Sequence, residues 1–222
     1  MDIKANLEAV KKTFGTSECL LVAVSKTKPL EDLKTAYAAG IRDFGENKVQ
    51  ELQAKQPEMP ADVRWHMIGH LQSNKVKFIA PFVHLIHGVD SFKLLREINK
   101  QGKKIDRKIN VLLQIHIAEE ETKFGFDREE LDKMLSDPDF TDLSHIVIKG
   151  LMGMATFTEN EDQVRKEFRN LKALFEELKS LQLPSFVQLE EISMGMSGDY
   201  LIAQEEGSTM VRIGSAIFGG RS

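Results

Sequence analysis

The chain has 222 residues, 41% hydrophobic and 29% charged, with 30 Lys and Arg against 34 Asp and Glu for a net charge of −4. That apolar content builds a full core and excludes a disordered chain, and a mildly acidic balance without a basic block excludes nucleic acid as the main partner. The one cysteine, Cys19, forms no internal disulfide, Met1-Asp2-Ile3-Lys4 is a poor signal-peptide start, and no apolar run approaches the ~20 residues that span a bilayer, so a cytoplasmic protein with no membrane partner is expected.

Residues 2–14 place Ile3, Leu7, Val10 and Phe14 at helical spacing with lysines between, which predicts an N-terminal amphipathic helix. Leu20-Leu21-Val22-Ala23-Val24 is a short apolar run suited to a strand buried on both faces. Pro29 fits the first turn of a helix running to about Ala39. The pattern then predicts strands at 41–44, 63–68, 83–87, 108–117, 146–152, 187–193 and 209–213. Helices are predicted between them at 47–55, 73–80, 92–101, 128–135, 161–181 and 199–206, with a short terminal segment last. Repeated strand–helix units in a chain of this length favour a (β/α)8 TIM barrel with an extra N-terminal helix; such barrels typically take about 250 residues. A doubly wound open sheet is the alternative. No linker or low-complexity tract interrupts the chain, so one domain over 1–222 is expected.

In a barrel of this kind the site lies at the C-terminal ends of the strands. The first strand ends in Val24-Ser25-Lys26-Thr27-Lys28-Pro29. On a strand Val22, Val24 and Lys26 share one face. If that face is inward, Lys26 reaches the mouth, where partial desolvation lowers an amine's pKa and makes it a better nucleophile toward an aldehyde. Otherwise it is a surface lysine closing a strand. Lys28, the rival, precedes Pro29 and is expected to point into solvent.

Ser193-Met194-Gly195-Met196-Ser197-Gly198-Asp199 ends the seventh strand, and Val211-Arg212-Ile213-Gly214-Ser215-Ala216-Ile217 ends the eighth. Barrels often bind phosphate with these two loops and a short helix N-terminus. Small residues such as Gly214 let backbone N–H groups approach an anion, and Ser197 and Ser215 add hydroxyl donors. The competing reading is two ordinary tight turns. Arg212 would be buried and needs a partner: a phosphate, a carboxylate or a ring nitrogen. Asn47, after Phe44-Gly45-Glu46, reads as a helix N-cap that also faces the site. His66 and His70 are four apart, but Gly69 intervenes and no carboxylate cluster or CxxC supports a metal. Met152, Met154, Met194 and Met196 read as packing near the rim.

Together, Val22 through Thr27, Phe44 through Asn47, His66 through Lys75, Gly150-Leu151-Met152, Ile192 through Asp199 and Gly207 through Gly214 resemble the pyridoxal phosphate homeostasis protein family. The blocks cover nearly the whole chain. The resemblance implies a barrel similar to the N-terminal domain of alanine racemase, with pyridoxal 5'-phosphate (PLP) held as a Schiff base on Lys26. It implies phosphate contacts near Ser197, Gly214 and Ser215, Arg212 at the pyridine nitrogen, and Asn47 close to the cofactor. His70, Gln72 and Asn74 match the block after the third strand without an assigned role. Met152-Gly153-Met154-Ala155-Thr156-Phe157 falls where relatives vary, which leaves that side of the rim open.

The resemblance implies a non-catalytic carrier and regulator of vitamin B6, with apo PLP-dependent enzymes as recipients and a monomeric state. An Arg partner at the ring nitrogen makes a weaker electron sink than an Asp would, which suits storage. The alternative is an amino-acid racemase-like enzyme. Racemisation needs a base on each face of the substrate carbon, and the chain has only Tyr37 and Tyr200, neither an obvious second base. A third reading is a barrel for another phosphorylated ligand with Lys26 uninvolved. Lys28 or Lys75 could hold a second cofactor molecule.

Overall fold

The computed structural model describes residues 2–119 and 124–220. Eight parallel strands close into a barrel in sequential order: β1 (Leu20–Val24), β2 (Asp43–Glu46), β3 (Arg64–Met67), β4 (Leu85–Val89), β5 (Ile109–Gln114), β6 (Ile146–Met152), β7 (Val187–Met196) and β8 (Met210–Ile213). Closure is made by β8 pairing with β1, with Val22 opposite Arg212. The helices are α1 (Ile3–Thr13), α2 (Leu30–Ala38), α3 (Val49–Lys55), α4 (Val76–Ile79), α5 (Phe92–Lys104), α6 (Arg128–Leu135), α7 (Pro138–Thr141), α8 (Glu161–Lys179), α9 (Tyr200–Glu205) and α10 (Ser215–Phe218). The TIM barrel and the extra N-terminal helix are therefore as expected. None of the described helices is long and apolar enough to cross a membrane.

Local chemistry explains the helix ends. Asp2 caps α1 by accepting from Ala5 N–H at 2.9 Å, and Ile3, Leu7 and Val10 turn one stripe inward. α1 lies against α10, where Asn6 Nδ2 donates to the Ile217 carbonyl at 2.9 Å. α6 begins at a capping box made by Asp127 and Glu130. α8 buries Val164, Phe168, Leu171, Phe175 and Leu178. Each such side chain contributes about 1.5–3 kcal/mol by leaving water.

Several boundaries differ from the periodicity. β2 is two residues later than expected and β4 also starts later, at Leu85. The predicted 73–80 helix is a 3-10 turn, Ser73–Lys75, followed by α4, and α7 was not foreseen. β7 extends to Met196. The reason lies in two separate cores. Residues such as Ile41, Val83, Ala23 and Met67 pack in the large layer between strands and helices. Inside the barrel, Val22, Leu85, Leu112, Met152 and Met210 form a small apolar cluster. The remaining inner positions include Asp43, His66, His87, Ser193 and Arg212, all buried. Where the inner face is polar, a hydrophobic run therefore marks only the outer face of the strand, and the inner residues read as loop.

The polar interior has a pH consequence. Burial first, with the charge of Arg212 beside it, pushes His87 well below the ordinary imidazole value of 6.5. The unfolded chain takes up a proton there below that value and the folded chain does not. Stability is thus complete above pH 6.5 and falls as pH drops, by up to about 1.4 kcal/mol per pH unit from this group alone. Urea unfolding at a series of pH values between 8 and 5 checks this. The slope should be reduced in His87→Gln, and an equal slope in both proteins would reject the assignment to His87.

Candidate functional site

Lys26 stands just beyond β1, half-buried, in a turn where Thr27 takes a φ of 62°. A non-glycine residue in that left-handed region costs energy and persists only when its surroundings impose it. The surroundings are a partly buried ionic latch. Thr27 N–H donates to Glu51 Oε2 at 2.7 Å. Lys55 Nζ donates to the Ser25 carbonyl at 2.9 Å, to Glu46 Oε1 at 2.8 Å and to Glu51 Oε2 at 3.3 Å. Ser25 Oγ donates to Glu46 Oε1 at 2.6 Å. Burial pushes the Glu46 carboxyl up, and the hydrogen bonds and charge of Lys55 with the Ser25 bond offset this only in part. Ser25, Glu46 and Lys55 were not singled out from the sequence. Their only signal is that Glu46 ends a strand where an apolar residue is the rule.

Replacing Lys55 by Met strands the Glu46 charge. We expect a loss of about 3 kcal/mol near pH 8, the usual cost of breaking a buried pair. With Lys55 gone the Glu46 carboxyl rises further above its unfolded value, so the loss shrinks as pH falls and the carboxyl protonates. Denaturation midpoints of Lys55→Met and of Lys55→Met with Glu46→Gln check it; the double variant should recover most of the stability and lose the pH dependence.

On the other side of β1, the turns after β7 and β8 meet. Gly214 N–H donates to Ser197 Oγ at 3.2 Å, which ties the two loops together. A Cβ at Gly214 would press on the Val24 carbonyl oxygen and side chain at 3.1 and 3.2 Å, so the small residue keeps the backbone close to the end of β1. Ser215 is exposed and opens α10. Arg212, one residue before the end of β8, is only 3% exposed. Its Nη1 donates to Ser193 O at 2.8 Å and to Ser193 Oγ at 2.6 Å, and its Nη2 donates to Gly153 O at 3.1 Å. These acceptors are uncharged. Burial brings the guanidinium down to about 10 against a smaller upward pull from Asp199, so it stays charged at neutral pH. Three hydrogen bonds leave two of a guanidinium's five N–H donors without a partner among the described residues.

The structure thus brings Ser197 and Gly214 into contact and sets Arg212 on the strand beside β1. Lys26 lies four residues beyond Val22, the register partner of Arg212. That is at most ~13 Å along a strand, a gap that a lysine side chain and a pyridine ring can bridge. Two expectations need correction. Asn47 is not a helix cap: α3 begins at Val49, Lys48 occupies the cap position, and no side chain caps it. Asn47 is half-buried, and Gly69 sits so close to its backbone that a Cβ there would meet the Asn47 carbonyl oxygen at 2.6 Å. Lys28 does not simply face solvent, since its Nζ donates to the Gly220 carbonyl at 2.8 Å. Met152 and Met154 do pack in the inner cluster, and His70 Nδ1 contacts Asp90 Oδ2 at 2.8 Å while its ring stacks on Phe124.

A family model described as alanine racemase, N-terminal domain, matches residues 1–222. The pyridoxal phosphate homeostasis protein of Aquifex aeolicus is 40% identical over 209 residues, 93% of this chain and 89% of that protein. The chain belongs to the pyridoxal phosphate homeostasis protein family. The family member of Haemophilus influenzae is 37% identical over 100% of this chain and 97% of its own length. Among solved structures, PipY of Synechococcus elongatus, described with PLP bound, superposes with a TM-score of 0.88 at 33% identity, covering 98% of this chain and 100% of that one. Alanine racemase from Bartonella henselae shares the fold at a TM-score of 0.73 and 17% identity, covering 98% of this chain but 58% of the racemase. This family fold thus matches just over half of that longer enzyme.

Proposed function

We propose that this protein binds pyridoxal 5'-phosphate reversibly, as a Schiff base on Lys26, and serves vitamin B6 homeostasis as a carrier. The observation that carries the reading is Arg212: a buried, charged guanidinium held by neutral acceptors, with two N–H donors that meet no acceptor among the described residues. Such a donor matches an unprotonated ring nitrogen, which accepts a hydrogen bond and takes no proton from it. The phosphate falls to Ser197, Gly214 and Ser215: the Gly214 N–H and the Ser197 hydroxyl, which bond to each other at 3.2 Å, would turn to it, beside the opening of α10 at Ser215. Asn47, the residue after β2, would border the ring. Lys26 would supply the amine that holds the cofactor aldehyde, with one water released on binding and one taken up when the cofactor leaves for apo PLP-dependent enzymes. When bound, the cofactor supplies a reactive aldehyde; the chain's part is to orient it and shield it.

A racemase-like enzyme is the second reading, and the two tyrosines count against it. Tyr37 Oη donates to Asp62 Oδ1 at 2.8 Å, and Tyr200 Oη lies 2.9 Å from Thr13 Oγ1, with its ring against Phe14. Both hydroxyls are engaged with α1 or with the loop before β3, so neither is available as a second base. We further assign one domain over residues 1–222, a monomer and a cytoplasmic setting, the last from the lone buried thiol of Cys19.

The test is to add PLP, record the visible spectrum, reduce with borohydride and map the labelled peptide. A pyridoxyl group on Lys26 establishes the link. A label elsewhere, or none, rejects it. Incubation with an L-amino acid and a chirality assay separates the carrier from the enzyme: turnover above that of free cofactor would overturn the carrier.

A further inference from the structure

Arg212 stands at one end of a row of hydrogen bonds that crosses the inside of the barrel. Its Nη1 donates to Ser193 Oγ at 2.6 Å. Ser193 Oγ lies 2.9 Å from His87 Nδ1, His87 Nε2 lies 2.9 Å from His66 Nδ1, and His66 Nε2 lies 3.0 Å from Asp43 Oδ1. Arg64 closes the row at the opposite, N-terminal face, with Nε donating to Asp43 Oδ1 at 2.7 Å and Nη2 to Oδ2 at 2.5 Å. β8, β7, β4, β3 and β2 each contribute. Ser193, His87 and His66 are fully buried.

The two ends set the direction of every bond. Burial acts to raise the Asp43 carboxyl, but the hydrogen bonds from His66 and Arg64, with the Arg64 charge, outweigh it and hold the group at about 2. A carboxylate only accepts, so His66 Nε2 carries a hydrogen. A guanidinium only donates, so Ser193 Oγ accepts from it and turns its own hydrogen to His87 Nδ1. His87 Nε2–H then donates to His66 Nδ1. Each donor meets an acceptor, and all the bonds run from the arginine to the aspartate. The opposite direction would aim both His87 and Arg212 donors at Ser193 Oγ and leave its O–H with no acceptor in the row. Other charged or titratable groups near the row are His84, whose ring centroid is 5.3 Å from that of His66, Arg107, which acts on His84, and Asp199, which acts on Arg212.

We infer that Asp43, His66, His87 and Ser193 are positioning residues for the cofactor ring: they lock the Arg212 guanidinium in one orientation and link it to a buried counter-charge on the far side of the barrel. The inference rests on the PLP reading of the site. Apolar residues of equal volume would fill a barrel as well or better, whereas a fully satisfied polar row in a low dielectric specifies one geometry. A rigid guanidinium offers the ring nitrogen its spare donors without reorganisation.

His87→Gln and His87→Phe separate positioning from packing. Glutamine keeps an acceptor and a donor on one carbon, as the imidazole does, and preserves the direction of the row; phenylalanine keeps the bulk and breaks it. PLP affinity and the pH profile of the visible absorbance are measured for the full chain, wild type first. His87→Phe should bind roughly tenfold or more weakly and move the pH profile. His87→Gln should stay within about threefold and keep the wild-type profile, since its hydrogen bonds persist. Folded variants that behave alike would overturn the inference. If His87→Phe does not fold, Ser193→Ala decides: tenfold weaker binding supports the row, and wild-type binding overturns it. A wild-type chain that forms no link with PLP rejects the cofactor reading itself, a failure seen before any variant is made.

Discussion

Lys26→Ala is expected to abolish the visible absorbance that follows addition of PLP, to remove the borohydride label and to weaken binding by about 100-fold or more, near 2.7 kcal/mol. The proposed covalent link needs a primary amine at the end of β1, and alanine removes it without touching the Ser197–Gly214 contact or Arg212. Lys26→Arg is the control. It keeps a positive charge for the phosphate but has no amine that condenses with an aldehyde. The two variants should therefore lose the absorbance equally, with arginine retaining more of the non-covalent affinity. Absorbance titration and intact-mass measurement after reduction give both quantities. A Lys26→Ala protein with full occupancy would favour another phosphorylated ligand, with the lysine a bystander.

Gly150→Ala should be the most damaging single-methyl change in the barrel, at about 3–5 kcal/mol. Gly150 has a φ of 155°, and a Cβ built there would overlap the Glu191 carbonyl oxygen of the neighbouring strand. The position lies at the register shift between Ile148 and Gly150, where β6 pairs with β7. The clash is with backbone, so relief requires the two strands to part. β7 carries Ser193, which holds Arg212, and leads into Ser197. The variant should lose stability in urea and, where folded, PLP affinity. Unchanged denaturation would mean that the strands shift at little cost. The Gly150-Leu151-Met152 block, which pointed to the family, thus has a structural cause.

Much of the architecture was legible from residue pattern alone. β1, α6 and β6 have the bounds that their residue patterns predict. Those runs are visible because their residues face the continuous layer between strands and helices, where burial selects apolar side chains. The short strands were displaced where the inner face is polar, as at Asp43 and His87. The glycine–serine turns at Ser197 and Gly214 were legible too, because a close backbone approach restricts which residues fit.

The partners were not legible. The lysine at position 26 follows from its place after a buried strand, but the latch that shapes its turn joins Ser25, Glu46 and Lys55 from three separate elements. The row from Arg212 to Asp43 pairs residues as far apart as His87 and Ser193, separated by 106 positions. Residue pattern carried the alternation of strands and helices, the proposal of Lys26, the two small-residue turns and the family resemblance. Which polar residues face inward, and which of them touch, emerges with the folded barrel. Barrel closure and strand register set those contacts, and both depend on all eight strands at once, which no local spacing encodes.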